Sequence, residues 1–197
     1  MANIDGVHSV GDSLMQYLEN TYPAVLREAH PCEFRLVSSN QLAGEIDFGT
    51  SVTLYLYRVI VNEFLRNTPI IENGRHSQPP LSVDLHYLLS VWADSAVAEH
   101  TICAWVMQEL NRHPIMDLSS LTPEGGWDAT EVVHIVPAEL SNEDLMRIWD
   151  ALAPNYRLSL SYVARAVRIE VEEDDEGGEA VVATRFAYSN GVAANGS

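Results

Sequence analysis

The chain has 197 residues and a net charge of −17, from 28 acidic and 11 basic side chains. This length predicts one domain, or one domain with a tail, and 47% apolar residues suffice for a core. The acidic balance argues against nucleic acid and anionic membrane as partners, since both need a basic surface. Two cysteines make no disulfide framework, which favours a reducing compartment. We expect neither a signal peptide nor a membrane span.

The first part of the chain predicts a helix followed by a short strand. Apolar residues recur every three or four positions across residues 4–28, which is typical of an amphipathic helix. Pro23 disfavours the helical conformation at Tyr22, so we expect the helix to break near residues 21–23. Residues 34–37 predict a short strand within a connection.

Two long strands form the predicted centre of the fold. Residues 81–92 follow two prolines and alternate with a period of two, so that Leu81 to Val91 at odd positions form one apolar face. The opposite face begins polar and becomes apolar at Trp92, so we expect it to be half covered. Residues 51–63 are apolar on both faces, with Leu56 and Ile60 on one and Val59 and Val61 on the other. The connection between these strands predicts antiparallel pairing, and its polar part, residues 70–78, predicts a loop with a turn at Asn73-Gly74.

The second half of the chain alternates helix and strand. Asp94 and Ser95 are candidate caps for a helix over residues 96–112, and His113-Pro114 ends it. Residues 115–128 predict a loop and residues 131–136 a short strand. Ser141 to Asp144 resembles a capping box, which begins a short helix that ends at Pro154.

Residues 156–172 predict the last long strand, with Ala164 and Ala166 on one face and Arg165 and Val167 on the other. A dense acidic segment, Gly177-Gly178 and a possible hairpin arm over residues 180–188 follow. The order of elements predicts an α+β fold: a mixed, mostly antiparallel sheet with helices packed on one face. We expect a domain over residues 1–172, and an acidic turn, arm and flexible tail over residues 173–197.

The sequence offers little catalytic chemistry. Five histidines (His76, His86, His100, His113 and His134) share no metal-ligand spacing, and no phosphate loop or nucleophile elbow occurs. Cys103 lies in an apolar stretch, which favours a structural role. Asp84 and His86 share a strand face, but a lone pair without a nucleophile is usually structural. We therefore expect no catalytic residue, no cofactor and no metal.

Several motifs together resemble one family. Leu54-Tyr-Leu-Tyr57 is followed by Leu65-Arg-Asn67, Pro79-Pro-Leu, Asp84-Leu-His-Tyr-Leu-Leu89, His113-Pro114, Leu140-Ser, Trp149-x-Ala-Leu152, Tyr156-Arg-Leu-Ser159 and Tyr162. This series, which spans residues 4–172, resembles the cap or tail terminator family of contractile injection systems, phage-tail-like particles related to the antifeeding prophage. Its most specific part is Pro-Pro-Leu with the following Asp-Leu-His-Tyr-Leu-Leu.

The resemblance implies a structural protein with a phage tail-terminator-like fold. Members form a homohexameric ring at the end of the inner tube and the contractile sheath, away from the baseplate. The implied partners are other copies of the chain, the inner tube protein and the sheath protein. It also implies assembly in the cytoplasm, as part of a particle that is then released or tethered.

A closed ring needs two different patches on each subunit. Candidate interface residues are the aromatic and charged side chains of the two-faced strand, one Gly-rich loop and the C-terminal segment: Tyr55, Tyr57, Trp127, Glu173, Asp174, Asp175, Arg185, Phe186 and Tyr188. We expect Trp127 to be an exposed anchor. Two alternatives stay open: an adaptor that tethers the particle to another protein through the acidic C-terminal segment, and a small enzyme that uses Asp84 and His86.

Overall fold

A computed structural model describes residues 1–44, 47–62, 70–72, 75–77, 80–152 and 154–170. The helices are α1 (Gly6–Thr21), α2 (Ala24–Ala29), α3 (Ser39–Ala43), α4 (Ala96–Arg112) and α5 (Asn142–Asp150). The strands are β1 (Glu33–Val37), β2 (Ser51–Val61), β3 (Ile70–Glu72), β4 (Arg75–Ser77), β5 (Leu81–Trp92), β6 (Ile115–Met116), β7 (Val133–Pro137) and β8 (Ser159–Ile169).

One six-stranded sheet organises the chain, in the order β1-β2-β5-β8-β7-β6. β1 runs parallel to β2, and the remaining pairs are antiparallel, including the predicted pair β2–β5. The mixed, mostly antiparallel sheet of an α+β fold is therefore confirmed. β3 and β4 pair with each other within the connection where the sequence predicted only a loop.

Local sequence signals place most helix ends. Tyr22 is extended and Pro23 follows it, which separates α1 from α2 as predicted. The Ser95 hydroxyl accepts a hydrogen bond from the Ala98 amide, and Ser141 accepts one from the Asp144 amide. Both serines are N-caps because each supplies an acceptor to an otherwise unpaired first-turn amide.

The main core lies between one face of the sheet and the two long helices. Val52, Leu54, Leu85 and Leu89 point from the strands into this layer. Leu14 and Leu18 of α1, and Ile102 and Val106 of α4, cover them, and all are almost fully buried. The odd-numbered face of β5 is the core face, as its periodicity predicted.

The opposite face of the sheet carries a smaller core at one end, so helices are not confined to one face. Leu88 and Trp92 of β5 pack there with Phe48, Leu42 of α3 and Trp149 of α5. Trp92 donates a hydrogen bond from its indole N–H to the Thr53 hydroxyl, 2.9 Å away. The half-covered second face was predicted. The packing of α3 and α5 against this face was not predicted. It removes the large apolar side chains of Leu88 and Trp92 from water.

Two β-bulges interrupt the regular alternation. In β2 the register shifts between Leu56 and Arg58, and in β8 it shifts opposite Asp84, where Arg165 and Ala166 face one residue of β5. Each extra residue moves the side chains of all later residues in its strand to the opposite face of the sheet. Val59, Val61 and Val167 consequently lie on the core face, and the face assignments predicted for the last part of each strand are wrong.

Candidate interface surfaces

The outer half of β2 offers an unpaired sheet edge. β1 pairs with β2 only from Ser51 to Tyr55, and no described strand pairs with the outer edge of residues 57–61. Val59 and Val61 are 49% and 45% exposed, and Ile60 is half-buried. We call residues 59–61 the β2 edge surface. An exposed apolar edge strand is a template for pairing with another chain.

The opposite edge of the sheet is also apolar. Ile115 of β6, Leu118 just after it and Val132 just before β7 are each 43–51% exposed. Met116 pairs with Val133, which places Ile115 and Val132 near each other at the end of the β6–β7 pair. We call Ile115, Leu118 and Val132 the β6 edge surface. Sequence analysis did not predict this surface, because Ile115 and Leu118 lie in the predicted loop over residues 115–128 and Val132 lies in the short strand predicted after it.

Tyr55 and Tyr57 lie near the β2 edge surface but are only half exposed. Both pack against the smaller core. The Tyr57 hydroxyl is 3.2 Å from that of Ser161, and its ring meets His86 edge-on at 6.1 Å. Tyr57 is the extra residue of the β2 bulge. Part of each ring faces solvent, so both remain interface candidates.

Trp127 is not an exposed anchor, contrary to the sequence prediction. Its side chain is 8% exposed, and its indole N–H donates a 2.9 Å hydrogen bond to the Ser9 hydroxyl. A Cβ on Gly125 would clash with that indole nitrogen, so glycine is required there. The ring is buried because this loop folds back onto α1.

Three hydroxyls fasten the same loop to α1. The Ser9 and Thr122 hydroxyl oxygens are 2.7 Å apart, and the Thr122 amide donates to the Ser13 hydroxyl at 2.7 Å. All three residues are buried. The polar atoms of these three residues and the Trp127 indole N–H therefore hydrogen-bond with one another. These bonds hold the loop in place beside the β6 edge surface.

The Asp84 carboxylate has a structural role in β8. The Asp84 carboxylate accepts a hydrogen bond from the Ala166 amide at 2.9 Å. Ala166 has a φ of 57°, in the left-handed region that non-glycine residues rarely adopt. Asp84 therefore holds the β8 bulge. Burial, and then the nearby Arg58 guanidinium, lower the pKa of His86 despite the Asp84 carboxylate.

The cysteines fit structural roles. Burial raises the pKa of the Cys32 thiol to about 12, and burial also raises the pKa of Cys103. Both are free thiols, and a thiol with a raised pKa is a poor nucleophile. Within the described ranges, no three His, Cys, Asp or Glu side chains come together as a possible metal site.

An arginine cluster, which sequence reasoning missed, occupies the open end of the second sheet face. Arg58 pairs across the strands with His86, and Arg165 with His134. Arg168 pairs with Ser82 on the same face. We call Arg58, Arg165 and Arg168, with His86 and His134, the arginine patch. Charged residues at alternate positions of a strand are a weak signal of a shared surface. The β8 bulge also hides from the sequence that Arg165 and Arg168 lie on the same face of the sheet.

The remaining candidates, Glu173, Asp174, Asp175, Arg185, Phe186 and Tyr188, lie outside the described residues. The predicted hairpin arm over residues 180–188 lies outside them too. No helix in the described part of the chain is both long and apolar enough to cross a lipid bilayer.

The fold and surfaces define a class: an α+β domain without a recognisable catalytic centre among its described residues, with apolar surfaces at both sheet edges. The model of the Pvc16 N-terminal domain family matches residues 9–183. The chain belongs to this family.

Two solved structures share the fold. One is the sheath/tube terminator, in its extended state, of the extracellular contractile injection system PVC, with a TM-score of 0.55 and 17% identity. The other is the tube-terminating cap of the anti-feeding prophage, with a TM-score of 0.52 and 18% identity. They cover 97% and 87% of this chain, which spans only 65% and 60% of theirs. No curated protein sequence matches this chain significantly.

Proposed function

We propose that this chain is the terminator subunit of a contractile injection particle. It forms a homohexameric ring at the end of the inner tube and sheath, away from the baseplate, and catalyses no reaction. The observation that carries the proposal is the family match over residues 9–183, together with a fold similar to two such terminators. Assembly takes place in the cytoplasm, and the ring then remains part of the particle.

The two edge surfaces supply what a ring requires. Side-by-side subunits in a ring contact each other through two different patches, one on each side. The β2 and β6 edge surfaces lie at opposite sides of the sheet and are both apolar. Burying them between subunits removes apolar surface from water at about 25 cal/mol per Å². The tube and sheath proteins contact other faces of the ring.

A double substitution in the β2 edge surface tests the ring. Val59→Asp with Val61→Asp places two charges at the proposed contact, so we expect loss of the hexamer. Light scattering coupled to size exclusion measures the mass, and electron microscopy of particles measures tube length, which becomes irregular without a cap. The matched control is Val25→Asp with Val97→Asp, two valines that are 77% and 68% exposed on α2 and α4.

The result that contradicts the proposal is a wild-type chain that stays single at high concentration, both alone and with tube and sheath. An adaptor would bind its target and leave particle length unchanged. If the hexamer still forms with aspartate at both positions, the proposed ring stands, but the β2 edge surface is not one of the contacts between its subunits.

A further inference from the structure

The arginine patch is unusual in a chain of this charge. All 11 basic side chains are arginines, in a chain with 28 acidic ones. Five described arginines already have partners. Arg27 donates to the Glu19 carbonyl, and Arg157 stacks on Trp92. Arg35 pairs with Glu33, Arg112 with Glu109 and Arg147 with Glu143. Arg58, Arg165 and Arg168 have no ion pair or side-chain hydrogen bond to any described residue, and all three are exposed.

The register of the strands brings these three arginines onto one face. Arg58 lies beside His86 on β2 and β5, and Val163 of β8 lies beside His86 on the other side. Arg165 is two residues further along β8, next to His134. Neighbouring strands are about 4.8 Å apart. Both Arg58 and Arg165 are close enough to His86 to help lower its pKa. Asp84 is the carboxylate within the patch, and the Ala166 amide engages it.

Guanidinium groups on a sheet face fit a particular partner, namely carboxylates on an extended peptide. Arginine binds carboxylates through two parallel hydrogen bonds, which suits several aligned side chains. The chain itself contains a matching segment, Glu172-Glu-Asp-Asp-Glu176, shortly after β8. Five consecutive carboxylates opposite three arginines give strong charge complementarity.

The segment follows the patch closely in sequence, since Glu172 comes four residues after Arg168. The Glu170 amide donates a hydrogen bond to the Ala2 carbonyl. The chain is therefore held beside the N-terminal residues directly after β8 ends. In the proposed ring, every copy has a neighbour that can supply this segment.

We infer that the arginine patch binds the acidic segment, residues 172–176, of an adjacent copy of this chain. The inference rests on the proposed ring, to which it adds a charged contact besides the apolar edges. Six such contacts close around a sixfold ring, each donated by one subunit and received by the next. Because the contact is ionic and at the surface, it also makes assembly sensitive to salt.

Charge inversion in two different chains tests the inference. The inverted-patch variant carries Arg58→Glu, Arg165→Glu and Arg168→Glu, and the inverted-segment variant carries Glu173→Arg, Asp174→Arg and Asp175→Arg. Each alone brings like charges together, so we expect at least a tenfold weaker assembly by light scattering. Mixed in equal amounts, the two variants restore hexamers, because each patch then receives an oppositely charged segment from its neighbour.

A control and a folding measurement accompany these variants. Arg27→Glu, Arg35→Glu and Arg147→Glu together make the same charge change elsewhere on the surface, and we expect assembly within twofold of the wild type. Thermal melting by circular dichroism shows that each variant is folded. If the control loses assembly as the inverted-patch variant does, the effect belongs to net charge and the inference is wrong.

The mixing experiment separates contact with a neighbour from contact within one chain. If the mixture stays dissociated while a single chain with both inversions assembles, each segment covers its own patch and the inference fails. If the inverted-patch variant assembles normally by itself, the patch has no role in the ring.

A peptide measurement does not depend on the ring. A fluorescent peptide of residues 171–178 is titrated into the full-length inverted-segment variant, whose own segment cannot occupy the patch. We expect binding in 0.05 M NaCl and its loss in 1 M NaCl, where the Debye length is about 3 Å. If the peptide binds but the chain forms no hexamer, the contact between patch and segment is supported and the proposed ring is contradicted. Absence of binding would overturn the contact whatever the oligomeric state.

Discussion

Ser9 connects α1 to the loop that carries Trp127. Its hydroxyl meets the Thr122 hydroxyl and receives the indole N–H of Trp127, in a site closed to water. Ser9→Ala leaves both groups without this partner, and an unsatisfied buried polar group costs about 1–3 kcal/mol. We expect the free energy of unfolding to fall by about 2 kcal/mol, measured by urea denaturation.

The control for Ser9 is Ser119→Ala, which removes a hydroxyl bonded only to Asp117 on the surface. We expect that change to be small. Equal losses from the two substitutions would show that the buried network does not hold the loop. The shift of Trp127 fluorescence towards the red reports whether the ring becomes exposed.

Ala166 shows strain at a single residue. Its φ of 57° places the Cβ near the following carbonyl oxygen, which costs about 1–2 kcal/mol for an L residue. Glycine removes this contact but adds backbone entropy to the unfolded chain. We expect Ala166→Gly to be stabilising by about 0.5–1 kcal/mol in denaturant unfolding.

The matched substitution is Ala164→Gly, two residues away, at a fully buried position on the core face. It should destabilise by about 0.5–1 kcal/mol, because glycine in a regular strand only loses contacts and adds entropy. Destabilisation at both positions would mean that the bulge conformation suits alanine, and strain at Ala166 would be disproved.

At the scale of elements, sequence periodicity predicted the three long strands and the antiparallel pairing of β2 with β5. β5 has one regular apolar face, and its core side chains follow that face from Val83 to Val91. Helix α4 begins and ends at the predicted residues because a serine cap and a following proline mark its ends. These features depend on neighbours in sequence, which is the information that a single chain carries.

Side-chain direction beyond each bulge was not predictable. The sequence around Tyr57 and Arg165 does not indicate an extra residue, since neither bulge contains a glycine. One inserted residue then exchanges the faces of every residue that follows. The burial of Trp127 was equally hidden, because it depends on Ser9, which is 118 positions away.

At the scale of the whole molecule, the β2 bulge affects how the sheet meets its surroundings. It places Val59 and Val61 on the core face, where they remain 49% and 45% exposed. The same bulge sends Arg58 to the second face, beside His86. One irregularity in β2 therefore separates an apolar edge from a charged surface, and our proposals assign these to two different contacts between subunits.

Buried phenols and thiols predict how the whole fold responds to alkali. Burial raises the pKa of Cys32 and of Tyr22 to about 12. It also raises the pKa of Tyr17, with help from Glu109, and the pKa of Tyr87. Unfolded chains release these protons near pH 9 for cysteine and pH 10 for tyrosine, while the folded chain keeps them. The stability that these groups contribute is therefore fully present well below pH 9, and it is lost as the pH rises towards the folded-state pKa values.

We expect urea denaturation to show a decline that begins near pH 9 and steepens above pH 10, with at most about 1.4 kcal/mol per pH unit from each group. Tyr87→Phe should make the decline above pH 10 shallower, because Tyr87 is nearly fully buried and its hydroxyl only reaches the Val7 carbonyl at 3.5 Å. Tyr156→Phe, at a 46% exposed position, is the control and should leave the profile unchanged. A profile that stays flat to pH 11, or that responds equally to both substitutions, would show that burial of these groups does not set the alkaline limit of the fold.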